Sequence, residues 1–286
     1  MKVVYDIKAI QNNILKAREY LGRPVVLMFK DFYEGLAAHL PQELTEGCWS
    51  LNLLESNCYS LNSANYTHNG AIVISLNDAK YLHEKYGINR FYIPVNCGDD
   101  REGLTLHDAF ELSDALTEKE WAEVYGLITS GCMNAEAPDT HRLEKICQVM
   151  CAGSALGVSL GGSYWIGREK LPDFISEVRI GEYMLFGTIP YCSDENLKGS
   201  NGVWIETQIL AVYPERKQLL VDCGYKYADL SKCTMLSDGL MYVDSSSEYS
   251  IFSYNEPLCS VGDVLRFIPN YKSLVTLKDA DTEYRE

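Results

Sequence analysis

The chain has 286 residues, a formal net charge of −15 at pH 7 and 47% hydrophobic residues. This length and composition predict a globular protein with a sizeable core, and the negative charge argues against nucleic acid and anionic membranes as partners. We find no stretch that resembles a signal peptide or a membrane span. The ten cysteines and five histidines show no zinc-ligand spacing, which predicts no metal site and reduced thiols in the cytoplasm.

The first 187 residues alternate between short apolar runs and amphipathic segments. Residues 1–7 have the alternation of a strand, residues 7–21 have helical periodicity, and residues 24–29 form a buried strand that ends at Lys30. Six more strands are predicted at 48–53, 70–75, 90–95, 126–129, 157–160 and 178–180. Helices are predicted between them at 32–40, 76–86, 106–116, 117–125 and 141–152. A capping box at Thr117–Glu120 predicts that a new helix starts at residue 117.

Strands that alternate with helices indicate a parallel sheet. The stretch from Lys30 to Gly187 is shorter than the roughly 200 residues of a complete eightfold barrel, and the deficit falls between residues 44 and 95. We therefore expect a (β/α) TIM-type barrel that is shortened or incomplete.

The texture of the sequence changes after residue 200. Strand-like runs at 203–213, 218–223, 239–244, 250–253 and 264–268 follow one another without helical segments, which predicts an all-β domain. Gly, Ser and Asn concentrate at 196–202 and mark the boundary. We expect a barrel over 1–195 and a β domain over 196–286, with residues 1–7 as a candidate strand of the β domain.

Three strand ends carry side chains suited to chemistry. Lys30 ends a buried strand, at the barrel face where enzymes of this architecture place their active sites. The glycines of Gly161-Gly162-Ser163 let backbone N–H groups approach a phosphate, and Arg179-Ile180-Gly181-Glu182 follows at the last predicted barrel strand. Together they indicate a site for a phosphorylated cofactor, although each taken alone also fits a solvent-exposed lysine or an ordinary turn.

Further motifs join these in a recognisable order. They are Tyr5–Ile14, Phe29-Lys30, Gly98-Asp99-Asp100-Arg101-Glu102-Gly103, Ser159–Ser163, Glu177–Glu182, and Gly262-Asp263 with Asn270-Tyr271. In this order, over nearly the whole chain, they resemble the alanine racemase-like, fold-type III pyridoxal 5′-phosphate (PLP) enzymes, and most closely the ornithine racemase-like branch. Two details depart from the family pattern: Tyr33 stands one residue too near the lysine, and Thr129-Ser130-Gly131 lacks the usual histidine or asparagine.

The resemblance implies roles for individual residues. Lys30 would hold PLP as a Schiff base and act as one proton-transfer base, and Arg179 would face the pyridine nitrogen. Arg101 would bond the phenolic oxygen of the cofactor. The phosphate would be held by Ser163, by the backbone N–H groups of Gly181 and Glu182, and by Tyr271.

The resemblance also implies a second base, a tyrosine contributed by the β domain of the partner subunit in a homodimer. Tyr225 is our choice, and Tyr227 is the alternative because a shift of one residue exchanges them. The expected function is an amino-acid racemase, an isomerase that interconverts L- and D-amino acids by two-base α-proton transfer. Two alternatives remain open: a PLP-dependent lyase, dehydratase or decarboxylase, and a non-catalytic PLP-binding protein. The motif and the acidic charge favour basic or polar amino acids.

Overall fold

The computed structural model describes residues 1–29, 31–45, 49–50, 62–63, 70–96, 103–129, 157–166, 171, 173–188, 195–255, 259–275, 277 and 280–286. The chain divides into two compact units. One contains Met1–Ile10 with Ser200–Glu286, and the other contains Gln11–Gly199. Each unit is built around its own sheet.

In chain order, the described strands are β1 (Lys2–Asp6), β2 (Val25–Phe29), β3 (Trp49–Ser50), β4 (Asn62–Ser63), β5 (Gly70–Ile72), β6 (Arg90–Pro94), β7 (Glu123–Thr129), β8 (Gly157–Gly161), β9 (Ile175–Ile180), β10 (Val203–Tyr213), β11 (Gln218–Val221), β12 (Thr234–Met235), β13 (Leu240–Ser245), β14 (Ser250–Tyr254), β15 (Val264–Ile268) and β16 (Asp281–Arg285). The described α-helices are α1 (Ile7–Leu21), α2 (Gln42–Thr45), α3 (Leu76–Tyr86), α4 (Leu106–Thr117), α5 (Glu182–Phe186) and α6 (Tyr271–Val275).

The sheet of the Gln11–Gly199 unit has the order β4-β3-β2-β9-β8-β7-β6-β5. The ladders from β3 to β5 along this order are all parallel, and β4 is antiparallel to β3. Strand β2, which comes early in the chain, pairs with β9, the last strand of this sheet. That pairing of an early strand with the last one is how a barrel sheet curls back on itself. The predicted fold class, a shortened (β/α) barrel followed by an all-β domain, is confirmed.

Local side-chain chemistry sets the helix boundaries in this unit. The Oγ atom of Ser75 accepts a hydrogen bond from the N–H of Asp78 (3.1 Å) and starts α3, and Gly87 ends it at φ 69°, a conformation that favours glycine. Thr105 starts α4 in the same way, because its Oγ1 atom accepts from the N–H of Asp108 (3.2 Å).

The helix predicted over 117–125 is wrong. The Oγ1 atom of Thr117 donates to the carbonyl of Ser113 (2.8 Å), which is an interaction of the last turn of α4. Strand β7 begins only six residues later, at Glu123, and buries Leu127 and Ile128 against its neighbours. Sheet pairing along both edges of β7 therefore outweighs the local capping signal. The segment Asp31–His39, expected to be helical, forms a 3₁₀ helix.

The other unit contains an antiparallel sheet of order β12-β15-β10-β11-β14-β13. Strand β1 pairs antiparallel with β10 and parallel with β16, so the two ends of the chain lie side by side. Glu206 on β10 is 5% exposed and is held by Arg285, whose Nη1 and Nη2 atoms each lie 2.9 Å from a carboxylate oxygen, and by Arg266 Nε (2.9 Å). This ion cluster around a buried carboxylate joins the terminal strands to the centre of the sheet.

Candidate active site

Arg179 is buried in the interior of the barrel sheet. The guanidinium of Arg179 donates from Nη1 to the carbonyl oxygen (2.6 Å) and to the Oγ atom (2.8 Å) of Ser159, and from Nη2 to the carbonyl of Thr129 (3.1 Å). Only 8% of Arg179 is exposed. The side chain is therefore fixed across three adjacent strands, β9, β8 and β7, and its permanent positive charge lies inside the sheet.

Gly161 makes room for this guanidinium. It lies opposite Arg179 in the register of β8 and β9. A Cβ atom at position 161 would lie 2.6 Å from Arg179 Nη2 and 3.3 Å from the carbonyl of Thr129. Because non-bonded heavy atoms do not approach so closely, only glycine leaves the arginine in its observed position.

A carboxylate lies next to this arginine. The hydroxyl of Ser159 donates to Glu177 Oε1 as well as accepting from Arg179. Burial, followed by the charge of Glu177, raises the pKa of Tyr92 on β6 above its ordinary range, and the charge of Arg179 partly opposes that shift. These four side chains thus belong to a single electrostatic environment, which borders an apolar cluster of Val26, Met28, Ile72 and Ile128.

The turn after β8 contacts the start of α5. Gly162 has φ 122°, and its N–H donates to the carbonyl of Arg179 (2.9 Å). The Oγ atom of Ser163, which is 4% exposed, accepts from the N–H of Tyr183 in the first turn of α5 (3.0 Å). The structure therefore brings Ser163 to the turn that carries Gly181 and Glu182, as a common phosphate site would require.

Two predicted residues, Lys30 and Arg101, lie outside the described residues. Strand β2 ends at Phe29, immediately before the lysine. Tyr271 is half-buried and begins α6, whose N-terminus is capped by Asn270 Oδ1 accepting from the N–H of Ser273 (2.8 Å).

The two candidate tyrosines of the β domain differ in exposure. Tyr225 is 63% exposed, and its N–H donates to the carbonyl of Ser246 (3.0 Å). Tyr227 is half-buried, and the Nζ atom of Lys226 lies 5.3 Å from its ring centroid. Tyr225 is therefore the one of the two that presents most of its side chain to solvent.

Ser159 and Glu177 lie within the recognised motifs, but the sequence alone assigns neither of them a role in the site. Both lie two residues before a recognised position, Ser159 before Gly161 and Glu177 before Arg179. Side chains two residues apart in a strand point to the same face. That alternation was the signal that could have found them.

Two further features concern the described part of the chain. It contains no cluster of three or more His, Cys, Asp or Glu side chains that could hold a metal ion. None of its helices has the length and apolar character needed to cross a membrane.

No protein-family model matches the chain. Its sequence is similar to ornithine racemase from Acetoanaerobium sticklandii, with 25% identity over 246 residues that cover 73% of this chain and 68% of the relative. The structure is similar to alanine racemase from Bartonella henselae with covalently bound pyridoxal phosphate (TM-score 0.74, 17% identity, 99% of this chain and 98% of that one). It is also similar to D-threonine aldolase from Filomicrobium marinum (TM-score 0.72, 13% identity, 96% of this chain and 88% of that one).

The chain has the fold of the alanine racemase-like, fold-type III enzymes. Within that class its sequence resembles the ornithine racemase-like branch, as its motifs predicted.

Proposed function

We propose that the protein is a PLP-dependent amino-acid racemase. The observation that carries the proposal is the buried Arg179, fixed across three strands beside a glycine that leaves space at its guanidinium. The sequence similarity to ornithine racemase and the structural similarity to alanine racemases support it.

The donor set fits the cofactor. Ser163 and the turn at Gly181 and Glu182 lie together after the last two barrel strands, which is the habitual phosphate site of such barrels. In the proposed arrangement they would hold the phosphate with Tyr271, while Arg101 would bond the phenolic oxygen. Arg179 would face the pyridine nitrogen and, as a permanent cation, would disfavour its protonation.

Bound PLP supplies an electron sink that makes the α-hydrogen of the amino acid acidic. The protein then has to remove a proton from one face of the α-carbon of the substrate and deliver a proton to the opposite face. Lys30, which directly follows strand β2, is the proposed base on one face of the substrate. In the proposed site, burial beside cations would lower the pKa of this lysine and let it act as a base near neutral pH.

Tyr225 is the proposed acid and base on the second face. Its ring is largely exposed in a single chain, which suits a residue that enters the active site of a partner. Other apolar residues of the same unit, Met241, Val243 and Tyr249, are also 45% exposed or more. We infer a head-to-tail homodimer in which each β domain completes the barrel site of the other subunit.

A second candidate function is a PLP-dependent lyase. The structural similarity to D-threonine aldolase favours it, because that protein shares the fold at a comparable TM-score. A lyase would release a carbonyl compound, ammonia or carbon dioxide from the amino acid, whereas a racemase releases only the enantiomer. A non-catalytic PLP-binding protein would release neither. A cytoplasmic location stays a prediction.

Reduction with borohydride followed by peptide mapping tests cofactor binding. We expect the reduced cofactor on the peptide that contains Lys30, and none on a Lys30→Ala variant. Chiral chromatography of the reaction products with an amino-acid panel then distinguishes the activities. Accumulation of an oxo acid or an aldehyde without formation of the opposite enantiomer would show that the protein is a lyase and not a racemase.

A further inference from the structure

We propose that Ser159 and Glu177 act together as a positioning pair for Arg179, and that through it they set how strongly the protein selects a cofactor with a ring nitrogen. The inference rests on the proposed function, since it assigns the group that Arg179 faces. It gives a role to two residues that lie within the recognised motifs but to which the resemblance assigns none.

The three side chains form one directed chain of hydrogen bonds. Ser159 lies opposite Glu177 in the register of β8 and β9, and Arg179 follows two residues later on the same face. A serine hydroxyl has one proton to donate, and here it goes to Glu177 Oε1. The lone pairs of the same oxygen accept from Arg179 Nη1 at 2.8 Å.

This arrangement strengthens both hydrogen bonds. A hydroxyl that donates to a carboxylate becomes a better acceptor, and the effect is larger in the low dielectric of a buried site. Ser159 is 1% exposed and Arg179 is 8% exposed, so water competes little for either group. Glu177, which is itself half-buried, therefore acts on the guanidinium through the hydroxyl of Ser159.

Arg179 also donates to the main-chain carbonyls of Ser159 and Thr129. These carbonyls belong to the sheet and would remain in any variant that folds. A substitution can remove the hydroxyl of Ser159 or the carboxylate of Glu177. Their loss would leave the guanidinium held by the main-chain carbonyls, with less control over its orientation.

The probes are PLP and 1-deaza-pyridoxal phosphate, which has a C–H group in place of the ring nitrogen. The measurement is the dissociation constant of each cofactor with the cofactor-free protein, followed by absorbance. The ratio of the two constants reports the contact at the ring nitrogen, because damage to the phosphate site or to the fold changes both constants alike.

We expect the wild-type protein to prefer PLP, and we expect Ser159→Ala to reduce that preference about tenfold, as for one lost hydrogen bond to a charged group. Glu177→Gln, which keeps the shape of the side chain, should reduce it severalfold. The double variant should be no worse than Ser159→Ala, because the two residues act in series. Ser159→Thr restores the hydroxyl and should restore the preference.

Ser176→Ala is the matched control. Ser176 is an exposed serine next to Glu177, and its hydroxyl donates to the carbonyl of Val158 (3.1 Å). It should keep the wild-type ratio. Should Ser159→Ala fail to fold, Glu177→Gln decides the question alone.

The positioning role is overturned if Glu177→Gln and any folded Ser159→Ala keep the wild-type ratio, or if they weaken both cofactors equally. If the wild-type protein binds PLP and the variants keep its ratio of dissociation constants, this inference is refuted but the proposed function is not. A wild-type protein that binds neither cofactor refutes the proposed function, and this inference with it.

Discussion

Gly161 and Arg179 lie opposite each other on β8 and β9, and a Cβ atom on residue 161 would be 2.6 Å from Arg179 Nη2. Glycine at position 161 is therefore required for the guanidinium of Arg179 to occupy its observed position. Two residues that a sequence comparison treats as separate motifs form a single steric unit.

The first prediction concerns this unit. Gly161→Ala should displace the guanidinium, lower the free energy of unfolding by about 1–3 kcal/mol as overpacking does, and weaken PLP binding. Urea unfolding and cofactor titration measure both effects. In an Arg179→Ala background the same substitution should cost less stability, because the clashing atoms are gone. An equal cost in both backgrounds would show that the glycine is needed for another reason.

Ser163 should contribute to stability even without cofactor. Its Oγ atom accepts the N–H of Tyr183 at the start of α5, and both residues are buried. Ser163→Ala leaves that N–H without its acceptor, which should lower the free energy of unfolding of the cofactor-free protein by about 1–3 kcal/mol. Urea unfolding tests this, and Ser163→Thr should recover most of the loss. If Ser163→Ala weakens PLP binding without any loss of stability, the helix contact is not the stabilising one.

The ion cluster at Glu206 predicts how stability depends on pH. Burial raises the pKa of Glu206, but hydrogen bonds from Arg285, Trp204 and Arg266 outweigh burial and hold this pKa at about 2. A carboxylate whose pKa is lower in the folded than in the unfolded protein stabilises the fold at pH values above its unfolded-state pKa. This stabilisation is lost as the pH falls towards the folded-state pKa. Stability should therefore fall between about pH 5 and pH 2.

Glu206→Gln should remove this part of the pH dependence and lower the free energy of unfolding at pH 7 by a few kcal/mol, on the order of 3. Urea unfolding from pH 7 to pH 3 measures both effects. Glu195→Gln is the control, because the Glu195–Lys198 pair is exposed and worth about 0–1 kcal/mol. A Glu206→Gln variant with the wild-type acid profile would contradict the role assigned to this carboxylate.

A shared active site predicts complementation between inactive variants. Lys30→Ala and Tyr225→Phe should each abolish racemisation, and Tyr227→Phe should retain it. When the two inactive proteins are mixed and allowed to exchange subunits, half of the sites in each mixed dimer combine an intact lysine with an intact tyrosine. Activity should then return to about a quarter of the wild-type value. No recovery, with subunit exchange demonstrated, would place both residues in the same subunit.

The sequence predicts the positions of the barrel strands well because buried parallel strands leave long apolar runs, as at residues 70–75 and 90–95. Tertiary pairing is harder to predict. The capping box at Thr117 is a real local signal, but the sheet overrides it at β7. Strand β16, rich in charged residues, does not look like a strand, since it is held by β1 and by the ion pairs of Arg285 rather than by apolar burial.

The residues of the candidate site also differ in how well the sequence predicts their roles. Arg179, Gly161 and Ser163 could be assigned because they lie in motifs at strand ends. Ser159 and Glu177 could not, because a serine in a buried strand and a glutamate before an apolar pair are common in structural positions. Only the register between β8 and β9 shows that their side chains meet.

Exchange of the α-hydrogen tests the central claim most directly, because it requires the cofactor, a base and a bound substrate together. The purified protein with PLP is incubated in deuterated water with a panel of single-enantiomer amino acids, basic and polar ones included. We predict deuterium at the α-carbon of both enantiomers for at least one amino acid, and no deuterium with Lys30→Ala. Cofactor binding without deuterium in any amino acid would contradict racemisation.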